Sequence, residues 1–187
     1  MKLKIVVSLS LLACIGIMEQ AFAFNPRDLD RLKSTGSCPR CNLSGADLTE
    51  ISLVRANLRS ANLRNAILSQ VNLANADLTS ANLQGAFLDL ANLTGASLTG
   101  ANLKSASLAN ANLSRAGLMG TNLEATNFEG ANLEFTNFRG AHFRRTIMAD
   151  GFRTSDKPYD WSLERATVKE CYRFRTANVP GTTCFSK

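Results

Sequence analysis

In the stretch ANLTGASLTGANLKSASLANANLSRAGL, Ala91 to Leu118, an apolar centre returns at every fifth residue. The register runs from Cys41 to Asp150, which is 110 residues or 22 pentapeptides. Its centres are Leu43, Leu48, Leu53 and onward through Leu123, Phe128, Leu133, Phe138, Phe143 and Met148. Two residues before each centre stands a small or modest residue, usually Ala, as at Ala46, Ala56 and Ala61, with Thr at Thr121, Thr126, Thr136 and Thr146. The written pattern is A-(N/D/S)-L-x-x. On an α-helix five residues turn the chain by about 500°, so the leucines would spiral over every face. On a flat strand an odd period throws them alternately to opposite sides. A chain that turns a corner once per pentapeptide instead points both Leu and Ala inward every time, winding a coil whose turns pair backbone to backbone. One coil has no core, but a stack of coils does.

Tandem A-(N/D)-L-x-x resembles the pentapeptide repeat family, over about three fifths of the chain. The resemblance implies an all-β solenoid, a right-handed quadrilateral β-helix with four pentapeptides per coil. If four repeats make a coil, residues twenty apart share a side, and the position before each centre should show that spacing. One column reads Asn42, Asn62, Asn82, Asn102, Asn122 and His142; a second reads Ser52, Asn72, Asn92, Asn112 and Asn132. The other two are mixed: Asp47, Ile67, Phe87, Ser107, Asn127, Ile147, and Asn57, Asp77, Ser97, Gly117, Asn137. Stacked Asn side chains would hydrogen-bond along the pile. At about 4.8 Å per coil the rod would be roughly 26 Å long.

Open ends of such a stack need caps. In residues 24–40, Asn25 is a good N-cap, Pro26 suits the first helical position, and Gly36 can end a helix that carries Leu29 and Leu32. A short helix followed by Cys-x-x-Cys and LSGADL resembles the start of exported pentapeptide repeat proteins of cyanobacterial and plastid-lumen type. Residues 151–187 break the period and hold Trp161, Tyr159 and Tyr172, with a helix expected from Ser162 to about Arg173. They read as a second cap, its aromatic side chains packed on the last coil around Phe138 and Phe143.

The first 23 residues stand apart from this. Met1 to Lys4 is basic, Ile5 to Met18 is apolar, and Ala21-Phe22-Ala23 is a small-x-small cleavage site, the signature of a signal peptide that leaves Phe24 as the first residue. The apolar run is too short for a stable membrane span. Leu11-Leu12-Ala13-Cys14 also resembles a lipobox, so a lipid anchor at Cys14 is the alternative. Both routes export the protein, to the periplasm, the medium or a thylakoid lumen. Four cysteines then remain, and an even number in an exported chain points to disulfides. Because a rod separates the ends, Cys38 pairs with Cys41 and Cys171 with Cys184.

Composition limits the chemistry further. His142 is the single histidine, which removes Ser-His-Asp and HExxH catalysis. Glu124, Glu129 and Glu134 are spaced by five and fall on three sides, so they cannot act as a paired acid and base. No phosphate-binding glycine loop is present, and the Leu and Ala core leaves no room for a cofactor or small ligand. Cys38-Pro39-Arg40-Cys41 reads as a staple or, alternatively, as a thiol-disulfide exchange pair; zinc held by all four cysteines would need the two ends to meet. The family includes acidic rods that mimic DNA and inhibit DNA gyrase. Residues 41–150 carry eight acids and eight bases, and a rod of net charge zero is a poor mimic. The flanks, +2 over 24–40 and +3 over 151–187, are too weakly basic to suggest nucleic-acid binding.

One surface feature stands out. Ile67 and Phe87 replace the usual polar residue on one side in adjacent coils, with Leu90 nearby, a candidate patch for an unknown protein partner in the envelope. The sequence thus predicts an exported, non-enzymatic scaffold or protein-interaction module, monomeric or dimerised end to end, with no membrane span. Its rivals are the thiol-disulfide exchanger and the topoisomerase-directed DNA mimic.

Overall fold

The computed structural model describes residues 24–154 and, beyond them, the backbone of residues 171–172 and 183–184. The expected signal segment, Cys14, Tyr159 and Trp161 lie outside the described residues. Parallel bridges join residues twenty apart without a gap from Ser37 with Asn57 to Asn127 with Ile147. Four such columns make a four-sided coil, and the chain is a solenoid. We number the sides in chain order: the first runs through Asn42, the second through Asp47, the third through Ser52 and the fourth through Asn57.

The pentapeptide works because its backbone hydrogen bonds close completely. In the repeat beginning at Ala81, the Ala81 N–H turns back to Leu78 O at 3.0 Å. Asn82 N–H donates to Ala61 in the coil before at 2.9 Å, and Leu83 and Gly85 donate to Asn102 and Lys104 in the coil after at 2.8 and 2.9 Å. That leaves Gln84 N–H, which donates to the Asn82 side-chain Oδ1 at 3.2 Å. The same side-chain bond recurs at Asp47, Asn92, Asn112, Asn127 and Asn137. The Asn position therefore mainly satisfies the one N–H per repeat that the ladder cannot reach. Amide-to-amide rungs along the pile form at Asn62 to Asn42, Asn92 to Asn72 and Asn102 to Asn82, at 3.0 to 3.3 Å.

The last position of the repeat carries positive φ from Arg40 to Arg145, whether Gly or not. Its occupants are coupled between coils: Asn65, Asn75 and Asn110 are each followed twenty residues later by Gly85, Gly95 and Gly130. A Cβ at Gly95 would meet Asn75 Oδ1 at 2.5 Å, whereas one at Gly100 would have Ser80 Oγ at 3.6 Å, both at φ +66°. Gly100→Ala should therefore cost about 1 kcal/mol for the left-handed backbone alone. Gly95→Ala should cost more, and Asn75→Ala should remove the difference. Denaturant midpoints of the three single variants and the Gly95→Ala/Asn75→Ala pair check this; equal costs for the two glycines would refute the coupling.

Inside, the centres and the Ala positions from Cys38 to Met148 form one continuous core, all buried except Ile51, Leu133 and Phe138, which are partly buried against it. At three of the four places where Thr takes the Ala position, its hydroxyl donates to a Leu carbonyl of the coil before: Thr126 to Leu103 and Thr136 to Leu113, both 2.8 Å, and Thr146 to Leu123, 2.6 Å. Thr121 donates instead to Leu118 O in the preceding repeat. Phe128, Phe138 and Phe143 close the far end, Phe138 meeting the other two with ring centroids 6.1 and 5.5 Å apart. There the chain turns at Gly151 and runs back, Ile147 pairing antiparallel with Arg153.

At the near end lies helix α1, Pro26–Thr35. Asn25 caps it by accepting from Arg27 N–H, and Gly36, at φ 66°, ends it. The stack begins one pentapeptide earlier than the Cys41 register, with Cys38 at a centre position and Ser37 bridging to Asn57. Helix α1 supplies what a preceding coil would: Asn42 O accepts from Asn25 N–H at 2.9 Å, and Asn42 N–H donates to the Asp28 carboxylate at 2.9 Å. Further on, Cys171–Tyr172 (β1) and Thr183–Cys184 (β2) pair antiparallel with Cys171 opposite Cys184. Cys171 and Tyr172, inside the helix expected from Ser162 to about Arg173, are paired strand instead; the rest of that expected helix lies outside the described residues.

Candidate functional site

Two places were singled out by sequence, the cysteine pair and the apolar patch, and the fold sets them apart. Cys38 and Cys41 are joined in a disulfide with Cα atoms 5.4 Å apart. Both face the core beneath α1, at 0% and 3% exposure. The Asp28 carboxylate and the two sulfurs lie within 4.8 Å of one another. As a disulfide the pair offers a cation no thiolate, and the Asp28 oxygen already holds Asn42 N–H. The disulfide joins the centre position of the first repeat to the Ala position of the next, at the start of the coil beneath α1.

Ile67 and Phe87 are bridge partners on the second side, 40% and 50% exposed, with Leu90 at the adjoining corner 59% exposed. Neither Ile67 nor Phe87 has an acceptor, so Ser69 and Asp89 N–H lack the side-chain bond their counterparts enjoy. The next repeat is repaired from outside: the Asp89 carboxylate accepts from Ser107 Oγ at 2.5 Å and from Ala109 N–H at 2.9 Å. Sorting the repeat by side shows what surrounds this patch. The second side carries Asp47, Glu50, Asp89, Glu129 and Asp150 and not one Lys, Arg or His. All eight bases of residues 41–150 stand on the other three sides, with only Asp77, Glu124 and Glu134 for company. Two of those three acids are ion-paired: Asp77 with Arg59 at 3.0 Å, and Glu124 with Lys104 and Arg144 at 2.9 and 3.6 Å. Among the described residues, none of the five on the second side forms a salt bridge.

A family model described as pentapeptide repeats in eight copies matches overlapping windows of this chain from residues 41–79 through 106–145. The chain belongs to the pentapeptide repeat family. Among solved structures it is similar to a pentapeptide repeat protein from the Arabidopsis thaliana thylakoid lumen, with 34% identity over 57% of this chain and 71% of that one, at a TM-score of 0.52. It is also similar to a pentapeptide repeat protein of the cyanobacterium Cyanothece 51142, with 35% identity over 62% and 92% of the two chains at a TM-score of 0.40. QnrB1, a fluoroquinolone resistance protein, shares 22% identity over 56% and 59% at a TM-score of 0.37, which is fold likeness alone. No curated protein matches the chain. No helix among the described residues is long and apolar enough to cross a membrane.

The acidic character of the second side of this pentapeptide repeat protein escaped a reading of net charge, because the sides cancel. Writing the repeat in rows of twenty and summing each column would have found it.

Three carboxylates lie below their ordinary range. For Asp47 the Thr49 hydroxyl leads, then Thr49 N–H, with a small pull from Lys33 on α1 and burial opposing. For Asp77 desolvation is the largest influence and acts upward, but hydrogen bonds from Thr79 and Arg59, together with the Arg59 charge, exceed it. For Glu124 the Lys104 hydrogen bond leads, opposed by desolvation and reinforced by the charges of Lys104, Arg144 and Arg145. A carboxyl whose pKa is depressed on folding stabilises fully above its unfolded value and loses that contribution as pH falls through its folded value. Stability should therefore decline as the solution is acidified below about pH 4. Asp77→Asn, which keeps an acceptor for Thr79, should soften the decline; an equally steep loss of denaturant midpoint would remove Asp77 from this account.

Proposed function

We propose that this protein is an exported, non-catalytic scaffold or protein-interaction module of the cell envelope, periplasm or thylakoid lumen. The exposed Ile67 and Phe87, stacked in adjacent coils at a position that elsewhere mostly holds Asn, Asp or Ser, carry this reading, whereas the other exposed apolar residues of the coil, Val54, Met119 and Phe135, do not stack in this way. Each of the two residues gives up a backbone-satisfying acceptor for apolar surface, a local cost that a binding surface would offset. The core of Leu and Ala favours recognition on the outside rather than in a pocket. In this reading the coil winds right-handed through about 22 repeats, α1 and residues 151–187 close its ends, and a second disulfide joins Cys171 to Cys184, in keeping with their opposed backbone positions.

Thiol-disulfide exchange through Cys38 and Cys41 is the lesser reading, since an attacking thiolate needs access and both sulfurs are buried. DNA mimicry needs dense acid around the rod, whereas three sides here carry an excess of base. The test is a crosslinking pull-down from the native envelope with the wild type and with Ile67→Asn/Phe87→Asn, which restores the repeat's own residue at both sites. Loss of partner recovery with an unchanged melting curve supports the proposal. Full recovery by the folded variant rejects the patch.

A further inference from the structure

We infer that the second side of the coil is a docking surface for a basic protein segment that also carries an apolar anchor. This rests on the reading of Ile67, Phe87 and Leu90 as a partner site and names the chemistry of that partner. The surface spans six stacked repeats, from Asp47 to Ile147, about 24 Å along the axis at the usual strand spacing. Its apolar part lies inside an acidic frame: Asp47 and Glu50 in the coil before Ile67, Asp89 beside Phe87, and Glu129 and Asp150 in the coils after.

Charge complementarity selects the occupant. Five carboxylates with no salt bridge among the described residues, on the first, third, fifth and sixth of the six rungs, set up a field that a Lys- or Arg-bearing segment would relieve. Lys33, at the end of α1, exerts a small attraction on Asp47. The same field repels an acidic or phosphate-bearing ligand, which excludes nucleic acid from this side. The segregation is local to the second side: Glu124 and Asp77, on the first and fourth sides, are held by Lys104, Arg144 and Arg59. An extended segment alternating basic and apolar residues matches such a surface, seating its apolar side chains on Phe87, Ile67 and Leu90 while its cations reach the frame.

The test uses the full chain and a labelled peptide of about eight residues alternating lysine and leucine, whose extended length of about 27 Å matches this side. Glutamate-leucine and lysine-serine peptides of equal length serve as controls. The lysine-leucine peptide should bind at least about tenfold more tightly than either control, and added salt should weaken it. Asp47→Asn/Glu50→Gln/Glu129→Gln should weaken binding about tenfold and Phe87→Asn comparably, while Glu134→Gln on the third side should not. These variants leave Asp89 and its two hydrogen bonds intact. In parallel, a photo-crosslinker is placed at position 87, with position 119 on the opposite side as control, in cells producing the protein. A crosslinked partner segment rich in Lys or Arg, lost on neutralising the three acids, agrees with the inference. A partner captured at 87 through a neutral or acidic segment, or a second copy of this chain, overturns it while leaving the patch a binding site. No crosslink at 87 above that at 119 overturns both.

Discussion

Leu88→Ala should destabilise the protein by about 3 kcal/mol. Leu88 is fully buried, and so are Leu68 and Leu108, its counterparts in the coils before and after. A cavity between them cannot collapse, because each centre is held by hydrogen bonds of 2.7 Å to the coil beyond, Leu68 N–H to Phe87 O and Leu88 N–H to Ser107 O. The same truncation at Met148, 5% exposed at the last centre, should cost about half as much or less, since among the described residues a coil packs on one side of it only. Urea titrations followed by circular dichroism measure both. Near-equal costs would show that the stack does not confine its cavities, and a Leu88 cost below about 1 kcal/mol would show that the coils relax freely. A drop in the slope with denaturant would instead mean that the Leu88 lesion lets the two halves of the rod unfold separately, as a quasi-one-dimensional stack permits.

The reason so much of this fold could be read in advance is that a period of five leaves few geometries for a Leu core. The four columns written from the sequence, Asn42 to His142 among them, are the columns that the bridges join. The near boundary was harder to see. Cys38 and Cys41 occupy a Leu and an Ala position, so an apolar period sought in Leu and Ala stops one repeat short of the true start. The Asn column was legible as a pattern but less so as a mechanism, because stacking suggests amide ladders while the backbone accounting assigns Asn first to the corner N–H. Charge was read as a sum over residues 41–150, and a sum of zero conceals a second side with five acids and no base. That last property belongs neither to composition nor to any one motif. It appears only when twenty-residue rows are aligned, which makes it a consequence of the fold.

Reducing the Cys38 and Cys41 disulfide should cost about 2 kcal/mol, and replacing both cysteines by serine should cost more. The bond closes a short loop, three residues apart in sequence, for which chain-entropy arguments give about 2 kcal/mol. Cys38→Ala/Cys41→Ala should lose that amount plus a modest packing term. Cys38→Ser/Cys41→Ser should lose about 1 to 3 kcal/mol beyond the alanine pair, because two hydroxyls would then be placed at positions that are 0% and 3% exposed. Access supplies a second, kinetic expectation. The sulfurs lie beneath α1, which is anchored through Asn25 and Asp28 to Asn42. Reduction of the native protein should therefore wait on the undocking of α1, and Asp28→Ala, which leaves Asn42 N–H without its carboxylate, should accelerate it well beyond the wild-type rate. Thiol alkylation followed by mass during exposure to a small dithiol reads that rate directly. Rapid reduction of the wild type, unchanged by Asp28→Ala, would mean that the pair is open to solvent thiols, and the exchange reading would displace the staple.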